Sequence, residues 1–417
     1  MIRFVRPDDT RYVAGMAGQM RIESRDVRPF RVAVPDEVLA DLRSRILAAR
    51  WPDGLEGVGW ALGTDDDTLR AVCRYWADGF DWRGHEAWLN RHPNVLADID
   101  GSTVHAIDAR SRVPGSLPLV LLHGWPSTVS EFRHVVEPLV DPVAHGGRAE
   151  DAFDVVVVSL PGFGFGGPTR SRGWDADRMA RAIAVLVRRL GIARYGVFGT
   201  DAGAYVATAL AAQDADAVAG LYLHLGGVQL ARNARADADQ IGEFTDHERA
   251  ALDDLAHYEQ TDSAYALANS TKPHTVAYAL NDSPVGQAAW ILEKFHSWTG
   301  ASDLAGADAP FGRVSVDDAL AIVTTYWITG TSGSAARFYA ETLATLARTG
   351  LPRVTVPTGC AVFPSDIVTA SRRWAERSYP NIVHWTDMAR GGHFSALEVP
   401  DLLVDDLRSF FRTQREQ

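Results

Sequence analysis

One glycine-flanked aspartate, Asp201, lies where a strand-like run passes into a helix-like run, in the stretch VFGTDAGAYVA. Small residues on both sides of it permit the strained turn called a nucleophile elbow, in which the central side chain stands exposed above a sheet. Serine is the usual residue at that point. An aspartate there is equally well explained as a turn residue or a helix cap, because Asp favours both positions. The other motifs of the chain must therefore decide between these two interpretations.

A loop that could stabilise an oxyanion precedes the elbow in the sequence. The motif His123-Gly124-Trp125-Pro126 ends the apolar run LPLVLLHG. Where a nucleophile elbow is present, a loop at this position donates one backbone N–H to the oxyanion, and the residue after the nucleophile donates a second. The expected donors are the backbone N–H groups of Trp125 and Ala202. The same tetrapeptide could also be an ordinary turn at the end of a strand.

An acid and a histidine follow in the order that an elbow nucleophile requires. His393, in ARGGHFSALEVPDLL, follows the last apolar strand and is predicted to be the general base, whereas His384 lies inside a strand and is expected to pack or to hydrogen-bond at an edge. Asp366, in VFPSDIVTA, lies between nucleophile and histidine in the chain. Its carboxylate would accept from one imidazole nitrogen and leave the other as the base. Asp366 could alternatively cap a helix.

The elements that would position these residues alternate along the second half of the chain. Apolar runs of strand length, such as DVVVVSLPG and GLYLHLGG, are separated by amphipathic helical stretches such as ADRMARAIAVLVRRLG. This alternation predicts a mainly parallel sheet with helices on both faces. The strand pattern ceases near Arg232, a helical pattern with a capping box at Thr245 and Glu248 follows, and strands resume after about Arg348. We therefore predict an α/β core with an inserted helical cap.

The predicted domain organisation has five parts, and the second is rich in tryptophan. Five tryptophans between residues 51 and 88 indicate an aromatic layer laid over another domain. The parts are a polar lead-in at residues 1–27, an N-terminal meander at 28–116, the first part of the α/β core at 117–231, the helical cap at 232–348 and the second part of the core at 349–417.

Composition excludes several classes of protein. The 417 residues are 46% hydrophobic and 23% charged, which is ordinary for a soluble globular protein. The net charge of -12 disfavours binding to nucleic acid or to an anionic membrane. Two cysteines, Cys73 and Cys360, are too few for a disulfide framework or a zinc cluster, so we expect no metal and a reducing, cytoplasmic location. The first thirty residues contain no apolar run suited to a signal peptide or membrane span.

Four long segments resemble the microsomal-type epoxide hydrolases, including the related bacterial and juvenile-hormone enzymes. The likeness extends from about Arg28 to Phe411. The segments are RPFRVAVPDEVLADLRSRILAARWPD, YWADGFDWRGHEAWLNRHPNVLADIDGSTVHAI, SAYALANSTKPHTVAYALNDSPVGQAAWILEKFHSWTG and YWITGTSGSAARFYAET. The resemblance implies an α/β-hydrolase core, a helical cap and an N-terminal meander packed on that cap.

The resemblance also implies a reaction without a cofactor, in which an epoxide and water give a vicinal diol through a covalent aspartyl ester. It makes Asp201 the nucleophile, His393 the base that activates water and Asp366 the orienting acid. Tyr265 and Tyr339 become paired cap tyrosines that donate to the epoxide oxygen. An aspartate suits this chemistry because its ester can be hydrolysed, whereas a serine would leave an ether that water and histidine could not readily cleave.

Two departures from the family pattern affect the prediction. Mammalian microsomal members carry an N-terminal membrane anchor, and the absence of such a segment here predicts a soluble form. Their nucleophile is typically followed by Trp, whereas this chain has Ala202. Alanine keeps the backbone donor and removes a large side chain from the pocket floor, which suggests a bulky substrate. Tyr258, Tyr278 and Tyr326 are expected to be packing residues.

Other functions remain open from the sequence. A haloalkane dehalogenase also uses an aspartyl ester on this scaffold, and Trp125 could supply one of the indole donors that a halide needs. A serine-type esterase or lactonase is disfavoured because the elbow carries no Ser. A catalytically retired hydrolase could act as a binding protein. The sequence also leaves open a homodimer, and it does not choose between detoxification and specialised biosynthesis.

Overall fold

The computed structural model describes residues 27–301 and 309–415. Residues 1–26 of the predicted lead-in lie outside this part of the chain. One nine-stranded sheet is formed by the described residues, in the spatial order β1-β2-β3-β5-β4-β6-β7-β8-β9. The strands are β1 (Arg28–Phe30), β2 (Asn94–Ile99), β3 (Ser102–Ala109), β4 (Leu117–Leu122), β5 (Phe153–Ser159), β6 (Tyr195–Gly199), β7 (Val218–His224), β8 (Thr358–Val362) and β9 (Ile382–Asp387).

Strands β4 to β9 are parallel, as the sequence pattern predicts. The residues of β4 and β5 are almost continuously apolar because helices cover both faces of the sheet, and the side chains of β5 from Val155 to Val158 are fully buried. A mainly parallel sheet is thereby confirmed.

The sheet begins earlier in the chain than the sequence pattern indicated. Strands β1, β2 and β3 lie before residue 117 and extend the sheet by antiparallel pairing. A two-residue turn, Asp100-Gly101, joins β2 to β3, and both residues have positive φ, at 52° and 77°. An Asp-Gly pair suits this hairpin turn because both of its central residues need a left-handed backbone. Strands β2 and β3 contain polar residues, so they lack the continuous apolar run by which the core strands were predicted.

Helices cover the sheet and form the cap. Those of the N-terminal segment and the core are α1 (Asp36–Leu47), α2 (Asp66–Asp78), α3 (Trp82–Leu89), α4 (Val136–Val140), α5 (Ala176–Arg189), α6 (Ala202–Gln213), α15 (Arg372–Ala375), α16 (Ser395–Glu398) and α17 (Pro400–Arg415). Between β7 and β8 lie α7 (Val228–Ala236), α8 (Ala238–Ile241), α9 (Asp246–Thr261), α10 (Ala264–Thr271), α11 (Pro273–Asp282), α12 (Pro284–Ser297), α13 (Val316–Thr329) and α14 (Ser332–Thr349).

The N-terminal segment contacts both the cap and the core. Helices α1 and α2 pack on α12, while β1 to β3 join the sheet. The indole Nε1 of Trp76 donates to Oγ1 of Thr324 in α13 at 2.9 Å, and both side chains are buried. Tyr75 next to it donates its hydroxyl to Asp317 at 2.7 Å. These contacts tie the cap to the N-terminal segment.

A membrane-spanning helix, a disulfide and a metal site of three or more side chains each require features that the described residues do not show. None of the helices in the described ranges has both the length and the apolar character that a bilayer crossing requires. Cys73 and Cys360 are both buried free thiols. Within residues 27–301 and 309–415, no three His, Cys, Asp or Glu side chains are grouped so that they could hold a metal ion.

Candidate active site

The predicted site residues meet at one edge of the sheet. Trp125 follows β4, Asp201 follows β6, Asp366 follows β8 and His393 follows β9. Because β4, β6, β8 and β9 are parallel, their carboxyl ends lie at the same edge. The chain order also reverses at β4, which lies between β5 and β6. A crevice opens at such a reversal, and α/β proteins commonly bind ligands there.

Asp201 adopts the strained backbone of a nucleophile elbow. Its φ of 48° and ψ of -122° place it just before α6, and Asp100 is the other non-glycine residue with positive φ in the described residues. A Cβ atom added at Gly203 would lie 2.1 Å from the carbonyl oxygen of Leu122, and one added at Gly199 would lie 2.5 Å from the carbonyl oxygen of Gly203. Glycine at these two positions therefore lets α6 approach the sheet closely enough to form the turn.

The carboxylate of Asp201 faces the loop after β4 and does not cap its helix. It makes no capping hydrogen bond to α6, and Oδ1 instead accepts from the backbone N–H of Trp125 at 2.8 Å. Gly124 allows this approach, since a Cβ atom there would lie 2.3 Å from the Cβ of Asp201. The helix-cap interpretation of Asp201 is therefore wrong.

His123 holds the loop after β4 in place. Its Nε2 accepts from the backbone N–H of Leu160 at 3.3 Å, and its Nδ1 lies 3.0 Å from the carbonyl oxygen of Gly124. Burial lowers the pKa of His123 to about 4, so the ring is neutral at physiological pH. A neutral ring with its proton on Nδ1 satisfies both contacts. The two contacts of His123 thus fix the loop so that the backbone N–H of Trp125 donates to Asp201.

His393 lies between two carboxylates. Its Nδ1 is 2.8 Å from Oδ1 of Asp366, and its Nε2 is 3.5 Å from Oδ2 of Asp201. Asp366 also accepts from the backbone N–H of Ile367 at 2.8 Å and lies 3.2 Å from Nε2 of His224. The side chains of Asp366 and His393 are almost completely buried. Asp366 therefore serves the imidazole, and the alternative of a plain helix cap is not what the contacts show.

The same contacts set the charges of this group. Burial alone would lower the pKa of His393, but the carboxylates of Asp366 and Asp201 raise it well above the ordinary value. Burial alone would raise the pKa of Asp366, yet the two histidines hold that pKa below the ordinary value of an aspartate. An ionised acid next to an imidazole that binds a proton tightly is the electrostatic arrangement of a catalytic acid and base.

Tyr265 and Tyr339 cover Asp201 from the cap. The ring of Tyr265, on α10, stacks on Trp125 with centroids 4.9 Å apart and an interplanar angle of 10°. Tyr339, on α14, lies edge-on to Trp125 at 5.9 Å, and Nζ of Lys294 lies 4.6 Å from the ring centroid of Tyr265. Burial, with a further contribution from the negative charge of Asp201, raises the pKa of both phenols well above the ordinary value. Both therefore keep their protons at neutral pH.

All five predicted catalytic side chains line one cavity of about 140 Å³ between the cap and the sheet edge. Ala202, the first residue of α6, lies in its wall beside Asp201, so its N–H is one of those that a helix leaves without an intrahelical partner. The lining also includes nine apolar side chains: Ala204, Leu225, Val228, Leu230, Ala266, Phe338, Leu343, Leu351 and Ile367. Polar side chains in the lining include Thr208, Gln229, Arg232 and Thr342. The site thus combines ionisable side chains, among them Asp201, Asp366, His393 and Arg232, with a partly apolar wall.

Three polar residues that support the site were not predicted from the sequence: His224, Glu398 and Tyr258. His224 ends β7 and bonds both Asp366 and Oγ of Ser395, the latter at 2.9 Å. Glu398 accepts the backbone N–H groups on either side of His393, and Tyr258 donates to the hydroxyl of Tyr265. The position of His224 at the carboxyl end of a strand next to β6 was a usable signal. The sequence offered no comparable sign for Glu398 or Tyr258.

Three other aromatic residues, Tyr326, Tyr278 and His384, are expected from the sequence to have no part in catalysis. Tyr326 is fully buried and donates its hydroxyl to the carbonyl oxygen of Ser127 at 2.9 Å. Tyr278 is 79% exposed and does not line the cavity that holds Asp201. The edge hydrogen bond expected of His384 is confirmed, because its Nε2 lies 2.9 Å from Oδ2 of Asp406.

Comparison with known proteins identifies the family. The family model described as "Epoxide hydrolase N terminus" matches residues 27–132, and that of the alpha/beta hydrolase fold matches residues 118–279. A putative epoxide hydrolase from Stigmatella aurantiaca is 40% identical over 93% of this chain and 86% of its own length. The chain belongs to the epoxide hydrolase family. Epoxide hydrolase 1 from Sus scrofa is 35% identical to this enzyme, over 95% of this enzyme's chain and 90% of its own.

Solved structures agree with this assignment. The juvenile hormone epoxide hydrolase of Bombyx mori superposes with a TM-score of 0.84 at 27% identity, over 94% of this enzyme and 95% of that chain. The epoxide hydrolase of Aspergillus niger gives a TM-score of 0.78 at 29% identity, over 92% and 96% of the two chains. The predicted family, the α/β-hydrolase fold and the hydrolase class are confirmed.

Proposed function

We propose that this enzyme converts an epoxide into a vicinal diol through a covalent ester on Asp201. One observation carries the proposal: the Asp201 carboxylate lies 3.5 Å from Nε2 of His393 and shares a cavity with the phenols of Tyr265 and Tyr339. A nucleophile, a base and two acids thus line one cavity. This set matches the two steps of epoxide hydrolysis, in which a carboxylate opens the ring and water then cleaves the ester.

In the first step the carboxylate of Asp201 attacks a ring carbon and the carbon–oxygen bond of the epoxide breaks. Tyr265 and Tyr339 act as general acids, one of them giving its proton to the departing oxygen while the other donates a hydrogen bond. Their high pKa values keep both protonated until that moment. Since Oδ1 of Asp201 accepts from Trp125 N–H at 2.8 Å, Oδ2 is the oxygen free to form the new bond.

In the second step His393 takes a proton from water, and the resulting hydroxide attacks the ester carbonyl. Esterification removes the negative charge of Asp201, which is one of the two charges that raise the pKa of His393. The imidazolium therefore loses its proton more easily, to the phenolate left by ring opening, and the neutral imidazole is then available as the base. The backbone N–H groups of Trp125 and Ala202 stabilise the oxyanion, and Asp366 stabilises the imidazolium that forms.

The substrate is proposed to be a bulky, apolar epoxide. Apolar side chains such as Leu225, Phe338 and Leu351 form part of the cavity wall, and Ala202 stands where the resemblance gives microsomal-type relatives the larger Trp. Removal of an indole from the wall next to the nucleophile leaves space beside the reacting carbon. Epoxides with a large group close to the ring should therefore be the better substrates.

Single turnover in ¹⁸O-labelled water tests the covalent mechanism. With enzyme in excess over an aryl epoxide, the first diol should contain only unlabelled oxygen, and the label should enter the carboxylate of Asp201, detected by mass spectrometry of the peptide. Asp201→Asn is the matched control, because it keeps the shape and removes the charge. Label in the first diol would overturn the covalent mechanism. Halide release from chloroalkanes without diol formation would instead favour a dehalogenase.

A further inference from the structure

A third tyrosine contributes a hydroxyl to the cavity that holds the two cap tyrosines. The hydroxyl of Tyr258 donates to the hydroxyl of Tyr265 across 3.1 Å, and each side chain is only 6% exposed. Tyr258 lies in the last turn of α9, and its carbonyl accepts the backbone N–H groups of Asp262 and Ser263 at 3.0 and 2.9 Å. This turn brings two rings that are seven residues apart in the chain to one wall of the cavity.

Tyr265 is held mainly by its ring, so its hydroxyl needs a separate constraint. Trp125 stacks on one face at 4.9 Å, and the ring of Trp298 lies 5.2 Å away. Such contacts fix the plane of a phenol but leave its O–H free to rotate. A hydrogen bond accepted from Tyr258 occupies one side of the oxygen, and the proton of Tyr265 must then point elsewhere.

We propose that Tyr258 is a positioning residue that donates to the oxygen of Tyr265 and turns the proton of Tyr265 toward the epoxide. This role rests on the proposed epoxide chemistry. As Tyr265 gives its proton to the leaving oxygen, its own oxygen becomes a phenolate. The hydrogen bond from Tyr258 then becomes charge-assisted and stronger, so it stabilises the transition state more than the resting state.

The protons of the complete cycle balance with Tyr258 remaining protonated. Ring opening moves one proton from Tyr265 to the alkoxide. The imidazolium of His393 then gives its proton to the phenolate. Hydrolysis of the ester consumes one water, restores the carboxylate of Asp201 and returns one proton to His393. Burial raises the pKa of Tyr258 to about 12, against smaller lowering by its hydrogen bond with Tyr265 and by the charge of Arg232, so Tyr258 stays protonated at neutral pH.

The contact differs from those of the other buried tyrosine hydroxyls near the site. Tyr326 donates to the backbone carbonyl of Ser127, which is a structural contact away from the reacting group. Tyr258 instead bonds the hydroxyl that carries the reacting proton, and its side chain lines the cavity itself. A packing role would explain the buried ring of Tyr258 but not this choice of partner.

Tyr258→Phe removes one oxygen and keeps the ring, so it tests the hydroxyl alone. Rapid-quench single turnover with an aryl epoxide should show formation of the Asp201 ester slowed about 10-fold, the order expected from one hydrogen bond to a developing charge. The rate of ester hydrolysis should stay unchanged. Tyr278→Phe, at an exposed cap tyrosine, is the matched control and should leave both rates at the wild-type values. Equal slowing of both steps, or of neither, would overturn the positioning role.

A double-mutant cycle separates positioning from packing. In a Tyr265→Phe background the Tyr258→Phe change should have no further effect, because the hydroxyl through which it acts is gone. In a Tyr339→Phe background it should retain its full effect. The same slowing in both backgrounds would contradict the inference. A wild-type enzyme that forms no Asp201 ester would contradict the proposed function instead, so the two failures can be told apart.

Discussion

Asp201 and His393 form a pair in which the charge of one residue sets the protonation of the other. The 3.5 Å separation brings the carboxylate close enough to raise the pKa of the imidazole. We therefore expect Asp201→Asn to lower the pKa of His393, since burial would then be opposed by Asp366 alone. The pKa can be measured from the ¹⁵N chemical shifts of the histidine side chains during a pH titration.

The sign of this change has a direct consequence for the charge of the site. At a pH above the pKa of His393 in the variant and below its pKa in the wild type, the wild type carries imidazolium and Asp201→Asn carries neutral imidazole. The variant mimics the loss of charge that accompanies ester formation. An unchanged or higher pKa of His393 in the variant would contradict the proposed control of the base. Asp387→Asn, at the end of β9, changes a carboxylate that does not contact His393 and is a suitable control.

Ala202 is the residue at which substrate size should be decided. It is buried, lines the cavity and is adjacent to the nucleophile. Replacement by Trp should reduce kcat/KM for large aryl epoxides by about 10-fold or more, the effect of losing one to two kcal/mol of fit. Small epoxides such as propylene oxide should be affected much less. Gln213→Trp, at the exposed end of the same helix, controls for the added indole, and equal losses for large and small substrates would disprove the idea.

The loop that carries His393 is held by a buried carboxyl group. Glu398, the last residue of α16, accepts the backbone N–H groups of Gly392 at 3.0 Å and Phe394 at 2.9 Å. The backbone N–H of His393 itself donates to the carbonyl oxygen of Trp298 at 2.9 Å. Three consecutive N–H groups are thus fixed, which holds the imidazole between Asp366 and Asp201.

Glu398→Ala should therefore lower kcat far more than it raises KM. A displacement of about 1 Å at the base can cost on the order of 100-fold in rate, while the cavity still binds substrate. Glu398→Gln keeps one acceptor oxygen and should lose less. Steady-state kinetics should rank kcat as wild type, then Glu398→Gln, then Glu398→Ala, with circular dichroism as a check that both variants fold. Equal activity of the Ala and Gln variants would contradict the positioning role of the carboxyl group.

The elements of the core were more predictable than their arrangement. Long apolar runs such as β5 and amphipathic helices such as α5 carry strong periodic signals. The hairpin of β2 and β3 was overlooked although its Asp100-Gly101 turn was present in the sequence. Polar residues such as Asp98 in β2 and His105 in β3 interrupt the continuous apolar run that marks a central strand.

At the scale of the whole molecule, contacts with the N-terminal segment help to hold the cap over the sheet. Trp76, in α2, is 5% exposed and bonds Thr324 of α13, on the cap side of the cavity. Its replacement by Ala should destabilise the protein by roughly 3 kcal/mol, the range for deletion of a buried aromatic side chain. Urea unfolding followed by fluorescence and circular dichroism measures the loss.

A matched control for this change is Leu62→Ala in the same N-terminal segment. Leu62 is 76% exposed, so its replacement should alter stability by less than about 0.5 kcal/mol. Activity should fall in Trp76→Ala along with stability if α13 helps to hold the cap tyrosines over the elbow. Loss of stability no greater than that of Leu62→Ala would show that the N-terminal segment does not anchor the cap.

The amino-acid sequence alone determined the α/β core, the inserted helices, the family and the five side chains that meet in the cavity. These features reside in local periodicity and in motifs whose residues are neighbours in the chain. The tertiary structure decided which donors and acceptors face each other. His224 contacts Asp366, 142 residues away in the chain, because two strand ends meet at one sheet edge. Glu398 accepts the N–H groups on either side of His393, and Tyr258 bonds Tyr265, because the backbone turns these near neighbours toward each other. Spacing in a sequence carries no record of such contacts, since they depend on how the folded backbone brings separate elements together.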